Sequence, residues 1–200
     1  MGNEFIIINI RRYLQQGEEG EKLLKQVFST FSCKKNADVD RFLLQQSIDF
    51  TKKNQSVTYI VVSSEHNQIV GYFTITIKPI TVNVDRFSNT TKRKIARVSE
   101  QNIENGNYSL SAYLIAQIGK NYRDGINDKI TGEQLLELAI NKIKELQYMA
   151  GGMVIFLESE NNDKLLHFYE CENGFKRFDV KEVKSGTEKE HTLIQLLKVM

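Results

Sequence analysis

One proline, no tryptophan and two cysteines stand among the 200 residues of this chain. With a single proline, almost every backbone N–H is available to a helix or a strand. Cys33 and Cys171 cannot make a disulfide scaffold, so folding has to rest on an apolar core, and 40% apolar residues are enough for one. The three histidines, His66, His167 and His191, lie far apart. Neither Cys-x-x-Cys nor His-Glu-x-x-His occurs, which predicts no bound metal. No apolar run approaches the ~18 residues of a membrane span, so no membrane role is expected. The opening MGNEFIIINIRR has a short apolar core and no cleavage site, and Ile6 stands where a myristoylation signal needs Ser or Thr. These features point to a cytoplasmic protein with reduced thiols. Charge of one sign is also lacking: 27 basic and 25 acidic residues leave a net +2. That excludes a surface basic throughout, not a local basic patch.

Elements follow from periodicity. FIIINI, residues 5–10, reads as a short strand or the run into a helix. Leu23, Leu24, Val27, Phe28 and Phe31 recur at three and four, the stripe of an amphipathic helix. A second helix is expected with Asp38 as its cap, carrying Val39, Phe42, Leu43, Gln46 and Phe50. VTYIVVS and IVGYFTITIKPITV read as an antiparallel hairpin, with Pro79 predicting an edge or a bulge. Ser88 to Gln101 is a polar helix or structured loop. Tyr108 to Gly119 is a central strand, followed by a loop over 120–130 and a long helix from Thr131. Gly152 to Ser159 is another buried strand, NDKLLHFYE a short helix, and FKRFDV and HTLIQLLKV the last hairpin, joined by a charged loop. Strand–helix–strand from Tyr108 onward demands one parallel pair with a right-handed crossover. The expected fold is a single α/β domain over 1–200: a mixed, mostly antiparallel sheet with one parallel pair and helices on both faces.

The long helix opens on ITGEQLLELAI. Thr131 and Gln134 have the spacing of a capping box, which alone explains the start. Leu135, Leu136, Ala139, Ile140, Ile143 and Leu146 then form one apolar stripe. Gly132 at the first helical position leaves the backbone bare. A helix N-terminus launched from a strand end is where α/β sheets hold phosphate. No Gly-Lys-Ser/Thr follows, so this is not a P-loop, and Gly125 and Gly132 do not fit a dinucleotide fingerprint.

With AYLIAQIG, ITGEQLL and FLESENNDKLLHFYECENGF at these distances, the chain resembles the GNAT N-acetyltransferases over roughly residues 5–199, most specifically over 108–175. Aligned on Gly132, the loop signature Gln/Arg-x-x-Gly-x-Gly/Ala meets Asn127 and Ile130 at its first two fixed positions and keeps the last. The segment Asn162 to Glu170, then Gly174 and Phe175, matches the family's Asn-x-x-Ala-x-x-Phe-Tyr-Glu-x-x-Gly-Phe, with Leu165 for Ala and one extra residue. The resemblance implies an acetyl-CoA-dependent N-acetyltransferase. Acetyl-CoA, as co-substrate, would lie where the strand 108–119 splays from its neighbour. Its contacts would come from Gln117, Ile118 and Gly119, from Asn127, Lys129, Ile130, Thr131, Gly132 and Glu133 around the pyrophosphate, and from Asn162 and Phe168. Amides around Ile118 and Gly119 would hold the oxyanion, and Tyr169 would be the general acid on the sulfur. The Phe168–Tyr169 pair also reads as ordinary core.

No general base is assigned: Glu104, Glu158 and Tyr113 stand near strand ends, and a water relay serves equally. His167 reads as a surface residue. Lys92, Arg93, Lys94 and Arg97 form either a solvated helix face or a phosphate-contacting patch. The acceptor is expected to be a small-molecule or peptide amine. Two alternatives stay open: a toxin-like enzyme acetylating aminoacyl-tRNA, and a non-catalytic binding module. Oligomeric state is not assigned.

Overall fold

A computed structural model describes residues 5–183 and 191–200. Its strands are β1 (Phe5–Asn9), β2 (Val57–Ser63), β3 (Gln68–Val82), β4 (Glu100–Gln101), β5 (Tyr108–Lys120), β6 (Val154–Glu160), β7 (Lys176–Val183) and β8 (His191–Val199). They form an eight-stranded sheet in the order β1-β2-β3-β5-β6-β8-β7, with β4 paired to β5 off this path. β5 and β6 are parallel; β1–β2, β2–β3, β4–β5, β6–β8 and β7–β8 are antiparallel. The mixed, mostly antiparallel sheet with one parallel pair is therefore as the periodicity predicts. Pro79 lies past Ile75, where the β2 ladder on β3 ends. β7 runs on to Val183; the rest of the charged loop expected in the last hairpin falls on residues 184–190, which lie outside the described residues, as do 1–4, on which part of the N-terminal signal reading rests.

The chain divides into two compact units. One comprises Met1–Thr76 and Ile115–Lys142, the other Ile77–Leu114 and Ile143–Met200. In the first, α1 (Arg11–Leu14), α2 (Glu18–Phe28), α3 (Ala37–Arg41), a π-helical turn (Phe42–Gln46) and α4 (Ser47–Lys52) precede β2. Leu24 and Phe28 of α2 join Phe31, Val39, Leu43 and Tyr72 in the core. Leu23, expected on the same stripe, is 45% exposed. Asp38 is not the cap of α3. The Asn36 carboxamide oxygen accepts from the Asp38 and Val39 amides at 2.9 and 3.4 Å, so the helix starts two residues earlier and Asp38 falls in its first turn.

α3 sits close on the sheet. The Tyr72 hydroxyl donates to the Val39 carbonyl at 2.7 Å. A Cβ on Gly119 would meet Val39 Cγ1 at 2.4 Å. Only glycine permits that approach, because the stiff β-branched valine cannot turn aside. Gly119→Ala is therefore expected to lower stability by about 1–3 kcal/mol through overpacking, measurable as an earlier thermal midpoint.

In the second unit, α5 (Asn89–Ala96) is capped by Ser88, whose hydroxyl accepts from the Thr91 amide. Fully buried Ile95 ties α5 to a core of Val82, Leu110, Ala112, Val154, Phe156 and Leu197. α6 (Gly132–Ala150) begins in the first unit and ends in the second, where α7 (Asp163–His167) and a π-helical turn (Phe168–Glu172) follow β6.

Candidate functional site

In the first unit, the predicted residues gather around the end of β5 and the start of α6. The parallel ladder is short: Tyr113 faces Ile155 and Leu114 faces Phe156, and β5 continues to Lys120. Gln117, Ile118 and Gly119 belong to that continuation and are half-buried. A Cβ on Gly71 would touch the Gly119 carbonyl at 3.0 Å and Leu135 at 3.1 Å, so the strand end and the first turn of α6 converge on one glycine.

Asn121 fixes the exit of β5, and sequence reasoning passed it over. It is 0% exposed. Its side-chain nitrogen donates to the Thr30 and Ile69 carbonyls at 3.0 and 2.9 Å, and its oxygen accepts from the Ser32 and Arg123 amides, both at 3.0 Å. A buried carboxamide with both ends satisfied is a rigid pin. The only hint in the sequence was a polar residue directly after an apolar strand.

The loop then turns through Asp124 and Gly125, both left-handed, at φ 50° and 76°. Asn127 donates to Asp128 Oδ1 at 2.6 Å, and Lys129 is exposed. Ile130 is extended and 1% exposed, so its side chain anchors the loop in the core. The capping box forms in full. Gln134 N–H donates to Thr131 Oγ1 at 3.0 Å, and Thr131 N–H donates to Gln134 Oε1 at 2.8 Å. A helix start has four amides without intrahelical partners. The box satisfies two of them and leaves those of Gly132 and Glu133. Glu133 is exposed and Gly132 half-buried. Two bare amides at the positive end of a 19-residue helix suit an anion.

In the second unit, Asn162 caps α7: its oxygen accepts from the Lys164 and Leu165 amides at 3.0 and 3.3 Å. The structural role therefore takes the oxygen, and the side-chain NH2 has no partner among the described residues. The π turn replaces an ordinary helical turn: the Phe168 carbonyl accepts from Asn173 N–H at 3.1 Å and from its side chain at 2.8 Å. Such turns recur at functional sites because they re-aim the side chains on them. Tyr169 packs edge-on between Phe168 and Phe175, with ring centroids 5.1 and 5.9 Å away. Glu170 is held to Arg177 by two hydrogen bonds of 2.8 Å. Phe168 and Tyr169 are half-buried, unlike Leu166 beside them. Burial pushes the Tyr169 phenol up to about 12. Its hydroxyl has no hydrogen-bond partner among the described residues. The arrangement is a protonated phenol, half-buried between two rings, that could donate a hydrogen bond.

The residues weighed as a base are differently engaged. The Tyr113 hydroxyl donates to the Gly151 carbonyl at 2.6 Å, and burial raises it. Glu158 pairs with Lys181 at 2.9 Å and accepts from Gln195 at 2.8 Å. Glu104 is on an exposed loop. His167 is exposed and lies 3.7 Å from Glu172. On α5, Lys92 pairs with Asp85 at 3.2 Å, whereas Arg93, Lys94 and Arg97 have no ion-pair partner among the described residues. No group of residues able to hold a metal occurs among the described residues.

This sheet, with its short parallel ladder and the helix that follows β5, is the fold of the GNAT acetyltransferases. No protein-family model and no curated protein matches the chain. Solved structures match it along nearly its whole length. One is AtaT complexed with acetyl-methionyl-tRNAfMet, with a TM-score of 0.62 and 15% identity over 95% of this chain and 93% of that one. Another is AtaTR bound with acetyl-CoA, with a TM-score of 0.57 and 17% identity over 96% and 94%. A third is a probable acetyltransferase from Staphylococcus epidermidis, with a TM-score of 0.54 and 12% identity over 98% of both chains.

Proposed function

We propose that the whole chain acts as one acetyltransferase domain that moves the acetyl group of acetyl-CoA to an amine. The observation that carries this is the first turn of α6, where the capping box leaves the Gly132 and Glu133 amides to a pyrophosphate. The neighbouring loop, from Asn127 to Ile130, would steer that group. The extension of β5 past Leu114, through Gln117, Ile118 and Gly119, would carry the arm and present an amide to the oxyanion. Asn162 would add its NH2 and Phe168 an apolar wall. The neutral amine attacks the thioester carbon, a C–N bond forms and the C–S bond breaks. Tyr169 donates a hydrogen bond to the departing sulfur, and the surplus amine proton leaves to water or a base.

A second reading shares the cofactor and takes an aminoacyl-tRNA as acceptor. It is favoured by Arg93 and Lys94 of α5 and Arg97 just after it, which have no ion-pair partner among the described residues, and by the fold shared with AtaT, solved with acetyl-methionyl-tRNA. One experiment tests both. Titration calorimetry with acetyl-CoA is expected to give saturable binding. Thiol release is then followed with a panel holding a peptide amine and an aminoacylated tRNA. Binding without turnover on any acceptor would favour the non-catalytic module, and absence of binding would end the proposal.

A further inference from the structure

The second unit holds a cleft that the acetyl-transfer machinery above does not use. It has a volume of about 690 Å³ and is lined by Arg97, Glu100, Ser109, Leu110, Ser111 and Gly152, among others. That is the size of a site for an extended ligand of a few residues.

Its floor is a break in the sheet. β4 pairs with β5 at Gln101–Tyr108 and Glu100–Ser109, and β6 pairs with it only from Tyr113. β3 occupies the opposite flank, since Thr81 Oγ1 lies 3.5 Å from Ser109 Oγ. β4 and β6 therefore share one flank of β5, and Leu110, Ser111 and Ala112 lie between their ladders. No strand of the described residues pairs with those three on that side. Unpaired strand backbone invites another strand, here about three residues long at ~3.3 Å per residue.

Its wall carries two opposite charges. The turn from α5 into β4 is tied down by Val98 N–H and Ser99 Oγ donating to the Ile95 carbonyl at 3.0 and 2.7 Å. Arg97 and Glu100, on either side of that turn, are both exposed. They pair neither with each other nor with any other described residue. Placement of Arg97 after the last turn of α5 also suits the helix dipole. That explains a cation there, but not a carboxylate kept apart from it in the same cleft.

We propose that this cleft binds a short extended peptide by its backbone, with Arg97 taking the carboxylate and Glu100 the free amine. The bound peptide is a ligand of this cleft and not the acetyl acceptor, so the assignment stands apart from the acetyltransferase reading. The test is run without cofactor, so the two fail separately. Trialanine, its C-terminal amide and its N-acetyl form are titrated into the protein and followed by amide chemical shifts. The free tripeptide is expected to bind about tenfold tighter than either blocked form. Arg97→Ala should erase its advantage over the amide, and Glu100→Gln its advantage over the acetylated form. Both side chains are exposed, so both variants should fold; unchanged melting confirms it. Equal binding of all three peptides, or no shift at any concentration, would overturn the proposal. So would a 5′-phosphorylated trinucleotide that moves the same amides when the peptides do not, marking the cleft as a nucleic-acid surface. Peptide binding in a protein that ignores acetyl-CoA would leave the cleft standing and remove the enzyme.

Discussion

Tyr169→Phe is expected to lower kcat by about 10²-fold while acetyl-CoA binds as before, because the change removes one donor present only at the reacting end. The magnitude follows from the group's environment. The phenol is held up to about 12 by burial. A thiol has an ordinary value near 8.5, so complete proton transfer to the departing thiolate would run uphill by several pKa units. What the phenol offers cheaply is a charge-assisted hydrogen bond, about 1.5–3 kcal/mol, which is roughly 10- to 150-fold in rate. A loss near 10⁴-fold would instead mean that the proton itself moves in the transition state.

Stability gives the control. The ring keeps its contacts with Phe168 and Phe175 when the hydroxyl is removed. The hydroxyl has no partner among the described residues, so melting should hardly change. The pH dependence has a fixed sign. The folded value, about 12, stands above the ordinary 10.0. The wild-type protein therefore loses this group's contribution as pH rises from about 10 to about 12, and the phenylalanine variant does not. A descending limb in kcat below pH 10 belongs to another group. Unchanged turnover in a well-folded Tyr169→Phe would remove the phenol from the chemistry.

Much of this was legible because the physics is local. The capping box at Thr131 and Gln134 needs two side chains three residues apart, and both hydrogen bonds form. The β-branched and aromatic content of VTYIVVS and the apolar run in β5 place strands with little help from the rest of the chain. What the sequence hid depends on contacts distant along it. Asn121 looks like any loop asparagine until Thr30, Ser32 and Ile69 close around it. The π turn that aims Tyr169 differs from an α turn by one residue of hydrogen bonding, for which no composition rule exists. Asn36 displaced Asp38 as a cap because both residue types cap well, and the choice lay with where the chain enters the helix.

Gly132→Pro is expected to weaken acetyl-CoA binding by about 10- to 100-fold without loss of stability, the cost of one charge-assisted hydrogen bond to phosphate. Proline is favoured at the first helical position, where its fixed φ suits the helix and no intrahelical partner awaits its N–H. The capping box runs through Thr131 and Gln134 and does not involve the Gly132 amide. The substitution also narrows the unfolded chain, so the melting temperature should hold or rise. It thus separates the two roles of the helix start: the fold keeps its cap and the anion loses a donor. Acetyl-pantetheine, which carries the thioester without the pyrophosphate, should be turned over equally by wild type and variant. Undiminished affinity for acetyl-CoA in the folded variant would place the pyrophosphate elsewhere, and the capping box would then be no more than the way this helix begins.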